Sequence, residues 1–284
     1  MPQIPIVQVK PGYVPQSQDT SIDADVLMFQ LLRQLTPAQK IEKFSAFNRS
    51  SRKLALSGVT YQFPDASINL IKKELLKRRF GEHYFQLLHE KELNGEEIVI
   101  ADPIELAKEV IKILDRLGIV YAIGGSVASS LWGENRQTAD LDLIVDISLD
   151  QTEQLIQEME TDFYISREAV REAVMHHRSF NAMSQKLIEK VDFFVINKNE
   201  PFFQSKLNRR RLVEGLYVYS PEDIILQKLV WYRLSREESQ KQWRDVLGVL
   251  KVQQNSLDMN YLQSWAESLK ITENLNKALQ QAGL

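Results

Sequence analysis

A mixed α/β fold with helical segments at both ends is what the 284 residues predict. Three observations carry that prediction. Short apolar runs of strand character, "IVYAIGG", "ADLDLIVDI" and "EKVDFFVI", fall in the middle of the chain. Helical spacing of apolar residues dominates before and after them. Finally, Thr36-Pro37, Asp102-Pro103 and Ser220-Pro221 each pair a capping side chain with a proline suited to the first helical turn.

Composition sets the outer bounds. Hydrophobic residues at 44% and charged residues at 26% are those of a globular chain able to bury a core, which excludes a disordered polypeptide. A net charge of −3 gives no global attraction to nucleic acid or anionic lipid, so any such contact needs a local patch. The absence of cysteine excludes disulfides, thiolate metal sites and a cysteine nucleophile. No apolar run is long enough to cross a bilayer, and the first residues lack a signal-like apolar core, so a cytoplasmic protein without membrane contact is expected.

Taken in order, Pro2, Pro5, Pro11 and Pro15 make residues 1–21 an extended arm. Residues 22–95 read as a small all-helical module. It holds "DADVLMFQLLRQL", a helix opened by Thr36-Pro37, and a third helix running on through "INLIKKELLKRRFGEHYFQLLHE". Residues 96–215 form the α/β core. A capping box of Asp102 and Glu105 starts its first helix and Gly118 stops it. Then come strand "IVYAIGG", helix "SVASSLWG", strand "ADLDLIVDI", two helices, and the strand pair "RSFNAMS" and "EKVDFFVI". "LYVYS" is a further short strand, and residues 216–284 are otherwise helical, opening with Ser220, Pro221 and Asp223.

The chemistry concentrates between Tyr121 and Ile147. Residues i and i+2 of a strand share a face, so Asp140 and Asp142 point the same way. Two like charges that close are tolerated at an exposed strand end, or where a hard divalent cation such as Mg²⁺ takes their oxygens. Ahead of them, Gly124 and Gly125 end a strand and Ser126 opens a helix. That turn lets the backbone approach a ligand and offers free N–H groups to an anion. Together these parts suit a nucleoside triphosphate with its metal.

The run "GGS…DLDL" resembles the signature of the DNA polymerase β-type nucleotidyltransferase superfamily. That resemblance implies a nucleotidyltransferase-type mixed sheet with flanking helices. It also implies a third carboxylate from a neighbouring strand, for which Asp192 is the match; the alternative for Asp192 is a local pair with Lys190. Asp140, Asp142 and Asp192 would then be the metal ligands and catalytic carboxylates for two Mg²⁺ ions. Gly124, Gly125 and Ser126 would bind the nucleotide, helped by Arg136 and Thr138.

"SPEDIILQKLVWYRLSREESQKQWRDVLGVL" is similar to the helical region of the abortive-infection toxin nucleotidyltransferases of type IV toxin-antitoxin systems. On that match Lys228 is a catalytic cation for the triphosphate, or a lysine that snorkels to water. Arg244 and Asp245 fit the later pair, Asp245 as a nucleotide-binding residue, although Gly248 and Val249 depart from the usual continuation. The helical module resembles small proteins that accompany such enzymes. The implied activity is nucleoside monophosphate transfer from NTP to a hydroxyl of RNA, such as tRNA, or of protein. The competing expectation is a non-catalytic nucleotide-sensing or partner-binding module.

Two basic runs, Lys72–Arg79 and Lys206–Leu212, read as solvated helix faces or as phosphate contacts to RNA. Trp132, Trp231, Trp243 and Trp265 read as core anchors.

Overall fold

A computed structural model describes residues 8–82 and 98–284. In chain order the elements begin with α1 (Ile22–Arg33), α2 (Pro37–Gln62), α3 (Ile68–Phe80), α4 (Pro103–Arg116), β1 (Val120–Ile123) and α5 (Gly125–Trp132). Next are β2 (Asp140–Asp146), α6 (Leu149–Glu160), β3 (Phe163–Ile165), α7 (Arg167–His176), β4 (Ser179–Ser184) and β5 (Lys190–Val195). The last are α8 (Pro201–Asn208), β6 (Arg211–Val213), β7 (Leu216–Val218), α9 (Pro221–Leu234), α10 (Gln240–Gln253), α11 (Met259–Ser268) and α12 (Thr272–Ala282). The class is mixed α/β, as the sequence predicts.

The chain divides into two compact units, one of residues 42–123 and 136–199, the other of residues up to 41, 124–135 and 200–284. Sequence pattern groups residues 22–95 as one module. In the structure α1 belongs with the C-terminal helices, while most of α2 and all of α3 belong with β1–β5.

In the first unit the strands lie in the order β3-β4-β5-β2-β1. β2 and β5 are parallel, and the other pairs are antiparallel. One face of the two central strands carries Leu141, Leu143, Val145, Val191, Phe193 and Val195, all buried. α4 and α6 pack on the sheet unit, and α4 contributes Ile104, Val110, Ile111 and Leu114 to the core. The α4 cap is the one read from sequence. Asp102 Oδ1 accepts from the Ile104 and Glu105 amides at 2.8 and 3.3 Å, and Glu105 accepts from the Asp102 amide at 3.2 Å. Gly118, at φ +63°, takes the left-handed conformation that ends the helix cheaply.

α2 starts on a reciprocal cap, the Gln39 amide donating to Thr36 Oγ1 at 3.2 Å and the Thr36 amide to Gln39 Oε1 at 2.9 Å. It continues for 26 residues. α3 stops sooner than its apolar spacing suggests, because Gly81 at φ +88° caps it at Phe80. The rest of the expected helix, with His83 and His89, lies outside the described residues.

The second unit holds α1, α5, the β6–β7 hairpin and α8–α12. Glu214 and Gly215 both have positive φ, the two-residue turn whose twist suits a tight hairpin. Ser220 caps α9 as expected, its Oγ accepting from the Asp223 amide at 3.1 Å. The arm is tied to this unit by Lys251, which donates to the Val14 carbonyl and to Asp25, both at 2.7 Å. The Val14 amide also donates to the Gln281 carbonyl at 3.0 Å. Gly248 has a local reason: a Cβ there would come within 3.2 Å of Gln16 Nε2 and 3.3 Å of the Glu134 amide. β3, α8 and β6 were not read from the sequence, being elements of three, eight and three residues with little periodicity to show. Trp231 is half exposed and is no core anchor, whereas Trp243 is buried.

Candidate active site

Strand register places the acidic side chains. In the parallel β2–β5 pair, Asp140 stands opposite Lys190 and Asp142 opposite Asp192. With a side-chain period of two, all four project from one face, opposite the buried Leu141–Val191 and Leu143–Phe193 rows. On the next strand Asn181 stands directly across from Asp192.

Lys190 occupies the centre of this face. Its ammonium donates to Asp192 at 2.6 Å and lies 3.8 Å from Asp140. The local Lys190–Asp192 pair, the alternative sequence reading of Asp192, is therefore present. Among the described residues no group of three His, Cys, Asp or Glu side chains is gathered around a metal-sized position. Burial holds the Asp192 carboxyl above its ordinary pKa; Lys190 opposes that shift and the Asp140 charge adds to it. Thr138 Oγ1 donates to Asp140 Oδ1 at 3.2 Å, so Thr138 orients a carboxylate.

The β2 and β5 starts are held by a buried clamp that sequence reasoning missed. Glu189, fully buried, accepts from Arg52 at 2.5 and 2.9 Å and from Arg79 at 2.9 Å on each oxygen. Arg79 also donates to the Ala139 and Ile188 carbonyls at 3.0 and 2.5 Å. Asn48 Oδ1 accepts from the Thr138 amide at 3.1 Å. These bonds fix the backbone immediately before Asp140 and Lys190. The partners are far apart in sequence, 137 residues for Arg52 and Glu189, so no local pattern announces them.

The other predicted residues lie in the second unit. Gly124 has φ −118° and ψ −149°, and Gly125, at φ +53°, occupies a region that penalises any side chain. The first helical bond of α5 runs from the Ala128 amide to the Gly124 carbonyl at 3.1 Å. Lys228 and Asp245, read as separate nucleotide contacts, form a buried ion pair with each other at 2.8 Å. Lys228 is thus no snorkelling lysine. Arg244 turns to Glu134, with contacts of 2.7 and 3.0 Å. In the sheet unit, Arg136 reaches the neighbouring Gln137 carbonyl at 3.1 Å.

The basic runs are solvated only in part: Lys77, Arg78 and Arg211 are exposed, and the other basic side chains turn inward or toward carboxylates. Lys72 is buried, Arg78 pairs with Glu74 and Arg79 with Glu189. Lys206 is buried within 4.4 Å of the Phe202 and 4.3 Å of the Phe203 ring centroid. Its Nζ donates to Gln227 Oε1 at 2.5 Å, and burial pushes its pKa down to about 7. Arg209 and Arg211 both turn toward buried Glu222.

No protein-family model matches the chain, and no curated protein matches it. Solved structures give partial likenesses. An antigenic nucleotidyltransferase-like protein from Paracoccidioides brasiliensis is similar over 63% of this chain and 92% of its own, at 18% identity and a TM-score of 0.40. ANT(2")-Ia, solved in complex with adenylyl-2"-tobramycin, is similar over 59% of this chain and 96% of its own, at 12% identity and a TM-score of 0.37.

Proposed function

We propose that this chain is a nucleotidyltransferase that moves a nucleoside monophosphate from a nucleoside triphosphate to a hydroxyl of RNA or protein. The observation that supports the reading best is the shared face of Asp140, Asp142 and Asp192, already bridged in part by the Lys190 ammonium. A lysine there acts as a stand-in cation, and the three carboxylates are the hard oxygen donors that Mg²⁺ prefers. In this reading they would hold Mg²⁺ once Lys190 swings aside. When bound, the metal would neutralise phosphate charge and make the attacking hydroxyl more acidic.

The chain's own residues supply the rest. The acceptor oxygen bonds to the α-phosphorus as the bond from that phosphorus to the bridging oxygen breaks, and pyrophosphate leaves. Asp192, whose pKa burial raises, takes the proton released by the hydroxyl. Gly124, Gly125 and Ser126 offer main-chain N–H groups to the phosphates. Lys228 exchanges Asp245 for the pyrophosphate charge, and Arg136 steadies the nucleotide. A toxin-like role follows if the acceptor is tRNA.

The test incubates the protein with each α-labelled nucleotide and a cell lysate, then asks whether label enters RNA, protein or small molecules. Transfer that is lost in Asp140→Asn, with unfolding unchanged, is expected. Full transfer by that variant sinks the carboxylate role. The bridging lysine also favours a second reading, a nucleotide-sensing module whose acidic face stays closed by Lys190. Nucleotide binding by calorimetry with no turnover in any lysate is its signature.

A further inference from the structure

The outer face of α2 carries an exposed apolar stripe. Phe47, Leu54 and Tyr61 recur at intervals of seven residues and are 50%, 75% and 90% exposed. Seven-residue spacing keeps side chains on one stripe of a helix, the geometry of a seam that another helix covers. The stripe is symmetric about Leu54. Aromatic rings stand seven residues to each side, and Ser50 and Ser51 before it mirror Ser57 and Gly58 after it. Beyond the rings, exposed Lys43 stands near the start of α2 and exposed Asp65 in the turn just after its end, so opposite charges flank the stripe.

Gly58 adds an independent sign. A glycine in a helix interior costs about 1 kcal/mol relative to alanine. Among the described residues nothing requires it, since a Cβ there would meet no atom within 4 Å. A backbone arriving from outside gives that gap a use.

We infer that α2 pairs with α2 of a second copy of this chain, antiparallel, about a two-fold axis at Leu54. Leu54 then meets its own copy, and Phe47 packs against Tyr61 of the other copy. Gly58 faces Ser50 with no side chain to hold the backbones apart, and Lys43 reaches Asp65. This is the isologous contact of a two-fold dimer, in which one self-complementary surface serves both partners. Phe63, Ile68 and Leu70, which follow α2 in sequence, are also exposed. One helix pair covers less than the roughly 1,600 Å² of a standard interface, which puts this contact among reversible rather than obligate dimers.

The chain has no cysteine, so single thiols can be introduced cleanly. Sedimentation velocity from ~1 to 200 µM is expected to show a monomer–dimer equilibrium, spanning the range where ~1 µM affinity corresponds to about 8 kcal/mol. Leu54→Cys should cross-link to itself on mild oxidation. Phe47→Cys should not self-link, yet should join Tyr61→Cys when the two variants are mixed. Leu54→Glu, which sets two carboxylates on the axis, weakens association on the order of a hundredfold or more, as lost burial of two leucines implies. Gly58→Leu has room in the monomer and so raises its unfolding midpoint somewhat while losing the dimer. A monomer at every concentration overturns the inference and leaves the face to a different partner; self-linking at position 47 overturns the antiparallel register.

Discussion

Lys190 and Lys206 show how much one ammonium group can decide. Lys190 sits among carboxylates that repel one another, and its removal in Lys190→Met leaves that repulsion to the solvent or to a metal. We expect the variant to unfold at lower temperature in chelator and to gain more from added Mg²⁺ than the parent does, because a ligand that binds only the native state stabilises it. Equal or absent Mg²⁺ shifts in the two proteins would exclude a cation at this face. Lys206 gives a pH dependence with a definite sign. Burial brings its pKa down to about 7, whereas the unfolded chain holds the proton up to about 10.5. Between those values the unfolded state binds the extra proton, so stability rises with pH across that window and the advantage is gone below it. Denaturant midpoints should follow that slope, and Lys206→Met should flatten it; parallel curves would show that Lys206 stays charged. Of these two, the Lys190 position was legible in sequence, since alternation alone puts it beside Asp192. Lys206 was not, because the run "KLNRRRL" looks solvated until Phe202, Phe203 and Tyr219 close around it.

At the scale of elements, the clamp on Glu189 fastens α2 and α3 to the strand ends that carry the acidic residues. Glu189→Ala strands two guanidinium groups, one of them buried, and removing one partner of a buried pair typically costs about 3–5 kcal/mol. Urea unfolding is expected to report a loss of that size. Arg52→Met should cost less, because Arg79 still neutralises the carboxylate. Equal stability of Glu189→Ala and the parent would mean that the clamp holds nothing. Helix boundaries were readable wherever a cap was local: Thr36 with Gln39, Asp102 with Glu105, and Ser220 with Asp223 each lie within three residues. What docks those helices was not readable, for Arg52 and Arg79 meet Glu189 across more than a hundred residues. The central strands announced themselves by alternation. β3 and β6, at three residues each, were too short to show a period.

Across the whole molecule, the first helices are shared out between the two units, which no reading of local composition would suggest. α1 and the arm serve the C-terminal helices through Asp25 and Lys251, and α3 serves the sheet through Arg79. A chain cut to residues 96–284 therefore loses partners for buried Lys251 and buried Glu189 at once. We expect it to fail to fold, as circular dichroism and proteolysis would show; a stable, more active fragment would instead make residues 1–95 a removable inhibitor. The fold class and the acidic strand were thus visible from periodicity, while the unit boundaries depended on ion pairs that exist only after folding. The Asp25–Lys251 bond also has a consequence in time. Its ends are 226 positions apart, and ribosomes add roughly 5–20 residues per second. Asp25 thus emerges and waits some ten seconds or more, at roughly that synthesis rate, before its lysine exists. Closure of the helical unit is a late event of biogenesis, timed by the appearance of α10 and not by the early helix it secures.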